Sequence, residues 1–292
     1  AFYSQTYGMR MLHEETNEEQ GVREAMMAVG DSGSCIQLLA PLSPESTIAK
    51  FLDRQGPGIQ QMAYRVADIE AVAGGVRDLE GVTLSALVPN VRGARRAVAC
   101  GIDTLVFFFS VSRSHNLANV RQTPEESLAA LAAIRAEVLP DSGASLRVDL
   151  ATAFGCPFEG RIALETVLAY VRRLAEAGVG EITLCDTVGM GDPLQTETLA
   201  RACREACPEV AFGMHFHDTR GLALANALKA WETGIRAFDG ALGGLGGCPF
   251  APGATGNVAT EDLVSLFSDR GIETGVSRDA LLAAAAFLRE TL

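Results

Sequence analysis

The sequence lacks three features, and each absence excludes a class of protein. No apolar run approaches the roughly 20 residues that a membrane-spanning helix needs, so we expect a soluble protein with no membrane partner. No cluster of Lys or Arg offsets the net charge of -12, which argues against a nucleic-acid partner because phosphate backbones bind positive surfaces. No signal peptide precedes the seven cysteines, whose odd number fits a reducing, cytoplasmic compartment better than a disulfide framework.

The chain also has no initial Met and opens at Ala1 in a helix-like stretch, AFYSQTYGM. We therefore expect it to be incomplete at its amino end. Its 292 residues are 48% hydrophobic and 21% charged, which is typical of globular proteins. That length suffices for one large α/β domain or two smaller ones.

A repeating pattern begins at Val82, where short apolar runs alternate with amphipathic helical stretches. This alternation predicts a parallel sheet covered by helices. Six such units and a closing helix, SRDALLAAAAFLRETL, favour an α/β fold of the TIM (β/α)8 type that lacks its first two βα units, with a doubly wound open sheet as the alternative. The predicted strands are VTLSALV (82–88), TLVFFFSV (104–111), SLRVDLA (145–151), EITLCD (181–186), VAFGMHFH (210–217) and IRAFDGA (235–241).

Before residue 70 the pattern is different. VREAMMAVG, CIQLLAPL and GIQQMAYRV are predicted strands, and a single helix, ESTIAKFLDR, lies between the second and the third. This order is typical of an antiparallel α+β unit rather than of βα repeats. We place the boundary within 66–81, which gives a first segment over 1–70 and a barrel segment over 76–292.

His215 and His217 are separated by one residue on a predicted strand, where alternate side chains point to the same face. Both imidazoles therefore converge at the carboxyl end of the strand, where barrel enzymes assemble their sites. A metal site is one interpretation of the pair. A core histidine followed by a turn cap is the other, and the spacing alone leaves both open.

Asp186 stands at the matching place one βα unit earlier, where EITLCD ends. A carboxylate at the carboxyl end of a strand suits a metal ligand or a general base, although Asp also begins turns and caps helices. The residue alone does not decide between these roles.

The loop GALGGLGGCPFAPGATGNVATED (240–262) is unusually rich in glycine. Glycines permit tight turns and close approach of the backbone to a ligand, although they cost backbone entropy. Cys248 lies where a mobile loop could bring a thiol to a substrate, while its spacing alone favours a buried structural cysteine. Asn257 offers a neutral oxygen that, with imidazoles and a carboxylate, suits a divalent ion. We interpret Cys156 as structural and His115 as a loop or capping residue.

Four motifs, AFGCPFEG, LCDTVGMG, MHFHDTRG and GGLGGCPFAPGATGNVATEDL, occur along the chain. In their order and spacing they resemble the 3-hydroxy-3-methylglutaryl-CoA (HMG-CoA) lyases, members of the DRE-TIM metallolyase family. LVPNVRGARRAV extends the resemblance toward the amino end, so that it covers about 76–292. GCPF followed by GNVATEDL is its most specific part.

The resemblance implies retro-Claisen cleavage of HMG-CoA, or of a related 3-hydroxyacyl-CoA, to acetoacetate and acetyl-CoA. A divalent cation, Mg2+ or Mn2+, would polarise the substrate's oxygens, a base would take the tertiary hydroxyl proton, and an acid would quench the enolate. The residues that match the family's motif are the metal ligands His215, His217 and Asn257, the catalytic carboxylate Asp186, the loop thiol Cys248 and the supporting acid Glu261.

The chain departs from the family's pattern at several positions. The family's first strand ends in Arg-Asp-Gly, which supplies a metal-ligand Asp and a catalytic Arg, and neither is present in this sequence. An acidic residue of the second strand is missing too. Asp149 and Ala151 replace the family's usual Tyr and Ser, and Ala241 with Leu242 replaces its usual Ser-Val. These replacements leave the acyl group of the substrate open.

The first segment resembles a different family. QGVREAMMAVG, IQLLAPLSPESTIAKFL and GIQQMAYRVADIEAV are similar to the methylmalonyl-CoA epimerases, which are vicinal-oxygen-chelate proteins. The resemblance implies Glu24 as a vestigial catalytic base, Gln37 as a metal ligand and Gln61 at the place of a ligand His. The family's first-strand His and its late Glu ligand are absent, so we expect no epimerase activity.

The sequence therefore predicts a partial vicinal-oxygen-chelate segment followed by a lyase-type barrel that acts on an acyl-CoA substrate. A Claisen-type synthase on the same barrel is one alternative. An inactive chimeric chain, from a recombined or misassembled reading frame, is another, because a partial barrel exposes sheet edges. The oligomeric state stays open, with a homo-oligomer as one outcome.

Overall fold

The computed structural model describes residues 10–17, 22–28, 35–44, 49, 81–246 and 256–291. It divides the chain into two compact units, Ala1–Asp78 and Leu79–Leu292. Within the described part of the chain, no helix is long and apolar enough to cross a membrane.

The first unit contains an antiparallel sheet of three strands in the order β1-β2-β3. The second and third strands, β2 (Val22–Ala28) and β3 (Cys35–Pro41), are the predicted ones. The first, β1 (Arg10–Asn17), was not predicted, because its largely polar sequence RMLHEETN shows no apolar pattern. It pairs with β2 through the backbone. The predicted elements AFYSQTYGM and GIQQMAYRV, and all but Ala49 of the helix ESTIAKFLDR, lie outside the described residues.

The second unit is built on a sheet of six strands in the order β11-β10-β9-β6-β5-β4. Every neighbouring pair in this sheet is parallel. All six predicted strands are therefore present. A short antiparallel ribbon, β7 (Gly155–Cys156) with β8 (Gly160–Arg161), stands beside the sheet. The sheet strands are β4 (Ser85–Leu87), β5 (Thr104–Ser110), β6 (Ser145–Ala151), β9 (Glu181–Asp186), β10 (Ala211–Phe216) and β11 (Ala237–Asp239).

Helices follow the strands in the alternation that the sequence predicts. Thr123 begins one of them with a reciprocal capping box to Glu126, which satisfies backbone N–H groups at the helix start. Asp192 caps another, with Pro193 in its first turn. The helices are α1 (Val91–Ala99), α2 (Arg113–Val120), α3 (Pro124–Glu137), α4 (Leu164–Glu176), α5 (Pro193–Ala206), α6 (Ala223–Glu232), α7 (Thr260–Ser268) and α8 (Arg278–Thr291).

The helix α2 corrects the prediction that His115 belongs to a loop or a cap. Ser112 caps this helix by accepting a hydrogen bond from the His115 N–H at 3.1 Å. His115 is fully buried, and its Nδ1 lies 2.7 Å from Oγ of Ser110. The helix escaped prediction because RSHNLANV is short and polar, so that it carries little hydrophobic periodicity.

The core of the second unit lies between the parallel strands and the helices. Phe107 and Phe109 of β5 and Leu150 of β6 are buried there in one apolar cluster with Ile134 of α3 and Val171 of α4. Parallel strands that are covered on both faces have near-continuous apolar sequences. For this reason TLVFFFSV could be recognised as a strand.

Leu150→Ala should lower the free energy of unfolding of the second unit by about 2–5 kcal/mol, because removing a buried Leu side chain leaves a cavity. Leu194→Ala, at a leucine that is 73% exposed, should change it by less than about 0.5 kcal/mol. The single tryptophan, Trp231, lies in α6, so urea unfolding followed by its fluorescence reports this unit. Equal losses in the two variants would contradict the placement of Leu150 in the core.

Candidate active site

The two histidines of the HxH pair lie together at the carboxyl end of β10. His215 is within the strand and His217 follows it directly. Their ring centroids are 5.3 Å apart, as alternation along a strand predicts for residues two positions apart. The two imidazoles therefore lie close together at the carboxyl edge of the sheet.

Asn257 lies beside His217 through an isolated antiparallel bridge. Its Nδ2 donates a hydrogen bond to the carbonyl oxygen of Leu245 at 2.8 Å. This bond orients the amide and leaves Oδ1 as the atom that can bind a cation. The loop thus places a neutral oxygen next to the histidine pair.

Glycines allow the two described ends of the loop to pack against each other around Asn257. A Cβ added at Gly256 would overlap the carbonyl oxygen of Gly244, and one added at Gly246 would lie 3.0 Å from Nδ2 of Asn257. Larger residues would therefore separate the ends of the loop. At these positions the glycines are explained by backbone packing around a candidate ligand.

Of the two remaining predicted site residues, Glu261 is described by the structure and Cys248 is not. Glu261, in the first turn of α7, is 5% exposed, and its Oε2 accepts a hydrogen bond from the Gly243 N–H at 3.0 Å. It therefore holds one end of the loop, and its part in catalysis stays a prediction. Cys248 lies outside the described residues, so its role also stays a prediction.

Asp186 is fully buried at the end of β9. Its two carboxylate oxygens accept hydrogen bonds from the backbone N–H groups of Met190, at 2.8 Å, and Gly191, at 2.9 Å. Burial raises the pKa of Asp186 to about 6, although these amides and the charge of Arg220 oppose the rise. The carboxylate thus closes the loop between β9 and α5 and keeps an ionisable group at this edge of the sheet.

A charged network of Arg147, Asp149 and Asp239 contacts His215, and these residues are not among the predicted site residues. Arg147 of β6 donates from Nη1 and Nη2 to the two carboxylate oxygens of Asp239, at 3.0 and 2.9 Å. Its Nε also lies 2.9 Å from Oδ1 of Asp149, two residues along the same strand. Oδ2 of Asp239 in turn lies 3.4 Å from Nδ1 of His215. In the sequence, this network could have been suspected from the two charged residues in the predicted strand SLRVDLA and from the Asp near the end of the predicted strand IRAFDGA.

The two carboxylates of this network differ in their electrostatics. Burial alone would raise the pKa of Asp239, but the hydrogen bond with His215 and the charge of Arg147 together hold it below its usual value. Burial raises the pKa of Asp149, although Arg147 opposes the rise and the charge of Asp239 adds to it. The carboxylate of Asp239 is therefore ionised beside His215 at neutral pH.

Thr152, directly after β6, is a further residue that the sequence does not mark. Its backbone φ is 57°, which is rare for a β-branched residue. Its N–H donates to Oγ1 of Thr187 at 2.8 Å, and its Oγ1 accepts from the Ser112 N–H at 3.2 Å. These bonds join the carboxyl ends of β5, β6 and β9. Strained residues of this kind cluster at functional sites.

The described residues fit a divalent cation as a mixed donor set. Within the part of the chain that the structure describes, no three His, Cys, Asp or Glu side chains are grouped closely enough to hold a metal ion. The candidate set combines the imidazoles of His215 and His217, whose ring centroids are 5.3 Å apart, with the amide oxygen of Asn257, a residue bridged to His217. Two nitrogen donors and one oxygen suit an ion of borderline hardness better than Mg2+, which prefers oxygen ligands.

The vestigial site predicted in the first unit is described only in its backbone. Glu24 of β2 is paired with Leu39 of β3, and Gln37 is paired with Met26. The side chains of Glu24 and Gln37, and the whole of Gln61, lie outside the described residues. The three assignments therefore stay predictions.

Comparison with known proteins gives one family for most of the chain. A family model described as HMGL-like matches residues 49–288. The hydroxymethylglutaryl-CoA lyase YngG of Bacillus subtilis is 42% identical over 221 residues, which cover 76% of this chain and 74% of that protein. The (R)-citramalyl-CoA lyase of Chloroflexus aurantiacus is 41% identical over 262 residues, which cover 88% of this chain and 82% of that protein.

Solved structures agree with this result. An HMG-CoA lyase from Acinetobacter baumannii, in complex with coenzyme A and 3-methylmalate, is 42% identical with a TM-score of 0.71, over 76% of this chain and 72% of that chain. These structures therefore confirm the predicted barrel class for the parallel sheet and its helices. They do not support the alternative of a doubly wound open sheet. A methylmalonyl-CoA epimerase from Mycobacterium tuberculosis is 53% identical over 26% of this chain and 51% of that chain, with a TM-score of 0.22.

Gly191→Ala should disturb the loop between β9 and α5, because an added Cβ would lie 2.8 Å from Phe154 and 2.9 Å from Oδ2 of Asp186. We expect the free energy of unfolding to fall by about 1–3 kcal/mol, measured by urea unfolding with Trp231 fluorescence. Gly180→Ala is the matched control, since nothing lies within 4 Å of its added Cβ, and it should stay within about 1 kcal/mol of the parent chain. A loss in the control as large as in Gly191→Ala would speak against this close approach.

Proposed function

The chain belongs to the HMGL-like family, and we propose that it is a metal-dependent lyase that cleaves a carbon–carbon bond in a 3-hydroxyacyl-CoA thioester. The observation that carries this proposal is the convergence of His215, His217 and Asn257 at the carboxyl edge of the parallel sheet. Barrel enzymes carry their chemistry at this edge.

The residues of the chain would divide the reaction between them. When bound by His215, His217 and Asn257, a divalent cation would polarise the hydroxyl and carbonyl oxygens of the substrate. Asp186 would take the proton of the tertiary hydroxyl, so that the bond to the neighbouring carbon breaks and a new carbonyl group forms. Cys248 would give a proton to that carbon, which leaves as acetyl-CoA. The roles of Asp186 and Cys248 rest on the motifs that they share with the HMG-CoA lyases.

An acyl-CoA substrate is supported by the relatives, because two of them are named for CoA esters and the solved structure from Acinetobacter baumannii holds coenzyme A. The relatives do not fix which acyl group the substrate carries. Asp149 stands where the HMG-CoA lyases usually have Tyr, and it changes the charge of the network around His215. We propose HMG-CoA as the first candidate and (R)-citramalyl-CoA as the second, since the Chloroflexus relative covers 88% of this chain.

Two other functions compete with the lyase. A Claisen-type synthase would use the same histidine pair in the direction that forms a bond, although the sequence GGLGGCPF favours the lyase. An inactive chimeric chain is the second alternative. In the described sheet β4 and β11 are the two edges, and a barrel that stays open there would leave its site incomplete.

We expect the purified chain, supplied with Mn2+ or Mg2+, to release acetyl-CoA from HMG-CoA or from (R)-citramalyl-CoA. His215→Ala and His217→Ala should each lower the rate by at least about a hundredfold, because each removes a ligand of the proposed cation. The measurement is chromatographic quantification of acetyl-CoA over time, with and without EDTA. A parallel incubation with acetyl-CoA and 2-oxo acids tests the synthase.

His13→Ala is the matched control, because His13 lies in β1 of the first unit, and it should keep the parental rate. Release that survives EDTA and both barrel substitutions would refute metal-dependent cleavage at this pair. If Trp231 fluorescence shows a folded second unit and neither ester is cleaved, the chain is an inactive member of its family.

A further inference from the structure

Arg147 and Asp239 belong to strands that stand well apart in the sheet. β9 and β10 lie between β6 and β11, which amounts to about 14 Å along a sheet with about 4.8 Å between strands. Side chains stand nearly perpendicular to a sheet, so a flat sheet could not bring these two together. Their hydrogen bonds of 3.0 and 2.9 Å therefore form on a concave face of the sheet.

The guanidinium of Arg147 fixes the orientation of the Asp239 carboxylate as well as its position. Each terminal nitrogen of Arg147 donates to a different carboxylate oxygen. This bidentate arrangement is geometrically specific, because the planar donor group matches the planar acceptor. The plane of the carboxylate is thus set from a strand that is not its neighbour.

Asp239 faces His215 directly. The two residues are register partners on the adjacent parallel strands β10 and β11, and Oδ2 of Asp239 lies 3.4 Å from Nδ1 of His215. An ionised carboxylate can only accept, so it favours the neutral imidazole that carries its proton on Nδ1. In that tautomer the lone pair is on Nε2, where a metal ligand needs it.

We propose that Arg147 and Asp239 are positioning residues for His215. Asp239 fixes the Nδ1–H tautomer and the orientation of the imidazole ring, and Arg147 fixes the orientation of the Asp239 carboxylate. The proposal rests on the proposed function in one respect, namely that Nε2 of His215 binds a divalent cation. The tautomer depends only on hydrogen bonding in the metal-free chain. The two claims can therefore be tested separately.

The tautomer is measured in the metal-free chain by 15N NMR of the imidazole nitrogens at pH 8. The chain has four histidines, and the loss of one set of signals in His215→Gln assigns the residue. We expect His215 of the parent chain to carry its proton on Nδ1. A proton on Nε2 in the parent chain overturns the proposal.

Asp239→Asn should move the His215 population toward the Nε2–H tautomer, because Arg147 selects the amide oxygen and leaves the amide NH2 group, a donor, facing Nδ1 of His215. Asp269→Asn is the matched control, since it removes a carboxylate that pairs with another arginine, Arg278, at 2.9 Å after α7 and does not belong to the network around His215. The control should keep the Nδ1–H tautomer. The same tautomer in Asp239→Asn as in the parent chain, or the same change in both variants, overturns the proposal.

Mn2+ binding, measured by titration calorimetry, tests the consequence for the cation site. Asp239→Asn should weaken binding by about 10–100-fold, whereas Asp269→Asn, which changes an exposed ion pair away from the site, should stay within about threefold of the parent chain. Unchanged binding in Asp239→Asn overturns the positioning role. If the parent chain itself does not bind Mn2+, the cation site of the proposed function is refuted, and the tautomer measurement still decides whether Asp239 orients His215.

Discussion

The ion pair between Arg147 and Asp239 sets the geometry on which the candidate site depends. It joins β6 to β11 across two intervening strands, so the sheet must curve toward the side that carries these residues. His215, on β10, lies within that curve and beside Asp239. A flatter sheet would lose the ion pair and would leave the Asp239 carboxylate beside His215 without the guanidinium that orients it. The curvature of the sheet and the orientation of this imidazole are therefore linked.

This ion pair contributes more to geometry than to stability. Its two side chains are 24% and 27% exposed, which places it between a surface pair of about 0–1 kcal/mol and a buried pair whose desolvation offsets most of the attraction. The free energy that holds the unit together comes instead from the apolar cluster that includes Phe107 and Leu150. A change at Asp239 should therefore disturb the position of Arg147 and His215 before it unfolds the chain.

Elements whose sequence reflects their burial could be predicted, and elements held by polar contacts could not. The strands β5, β9 and β10 were predictable because they are largely buried and have nearly continuous apolar sequences. The strands β4, β6 and β11 were predictable from their places in the βα alternation. Neither β1 nor α2 shows such a pattern, since one pairs through its backbone and the other is short and polar. The HxH spacing and the shared motifs pointed to His215, His217 and Asn257. Arg147 and Asp239 are 92 residues apart, and only the curvature of the sheet brings them together.

The central claim is that His215, His217 and Asn257 form one cation site. An anomalous difference map from crystals of the chain grown with MnCl2 tests it most directly. We expect a peak about 2.0–2.3 Å from Nε2 of His215, from an imidazole nitrogen of His217 and from Oδ1 of Asn257. A map of the ordered chain with no peak at these three atoms, or with its peak elsewhere, would contradict the claim.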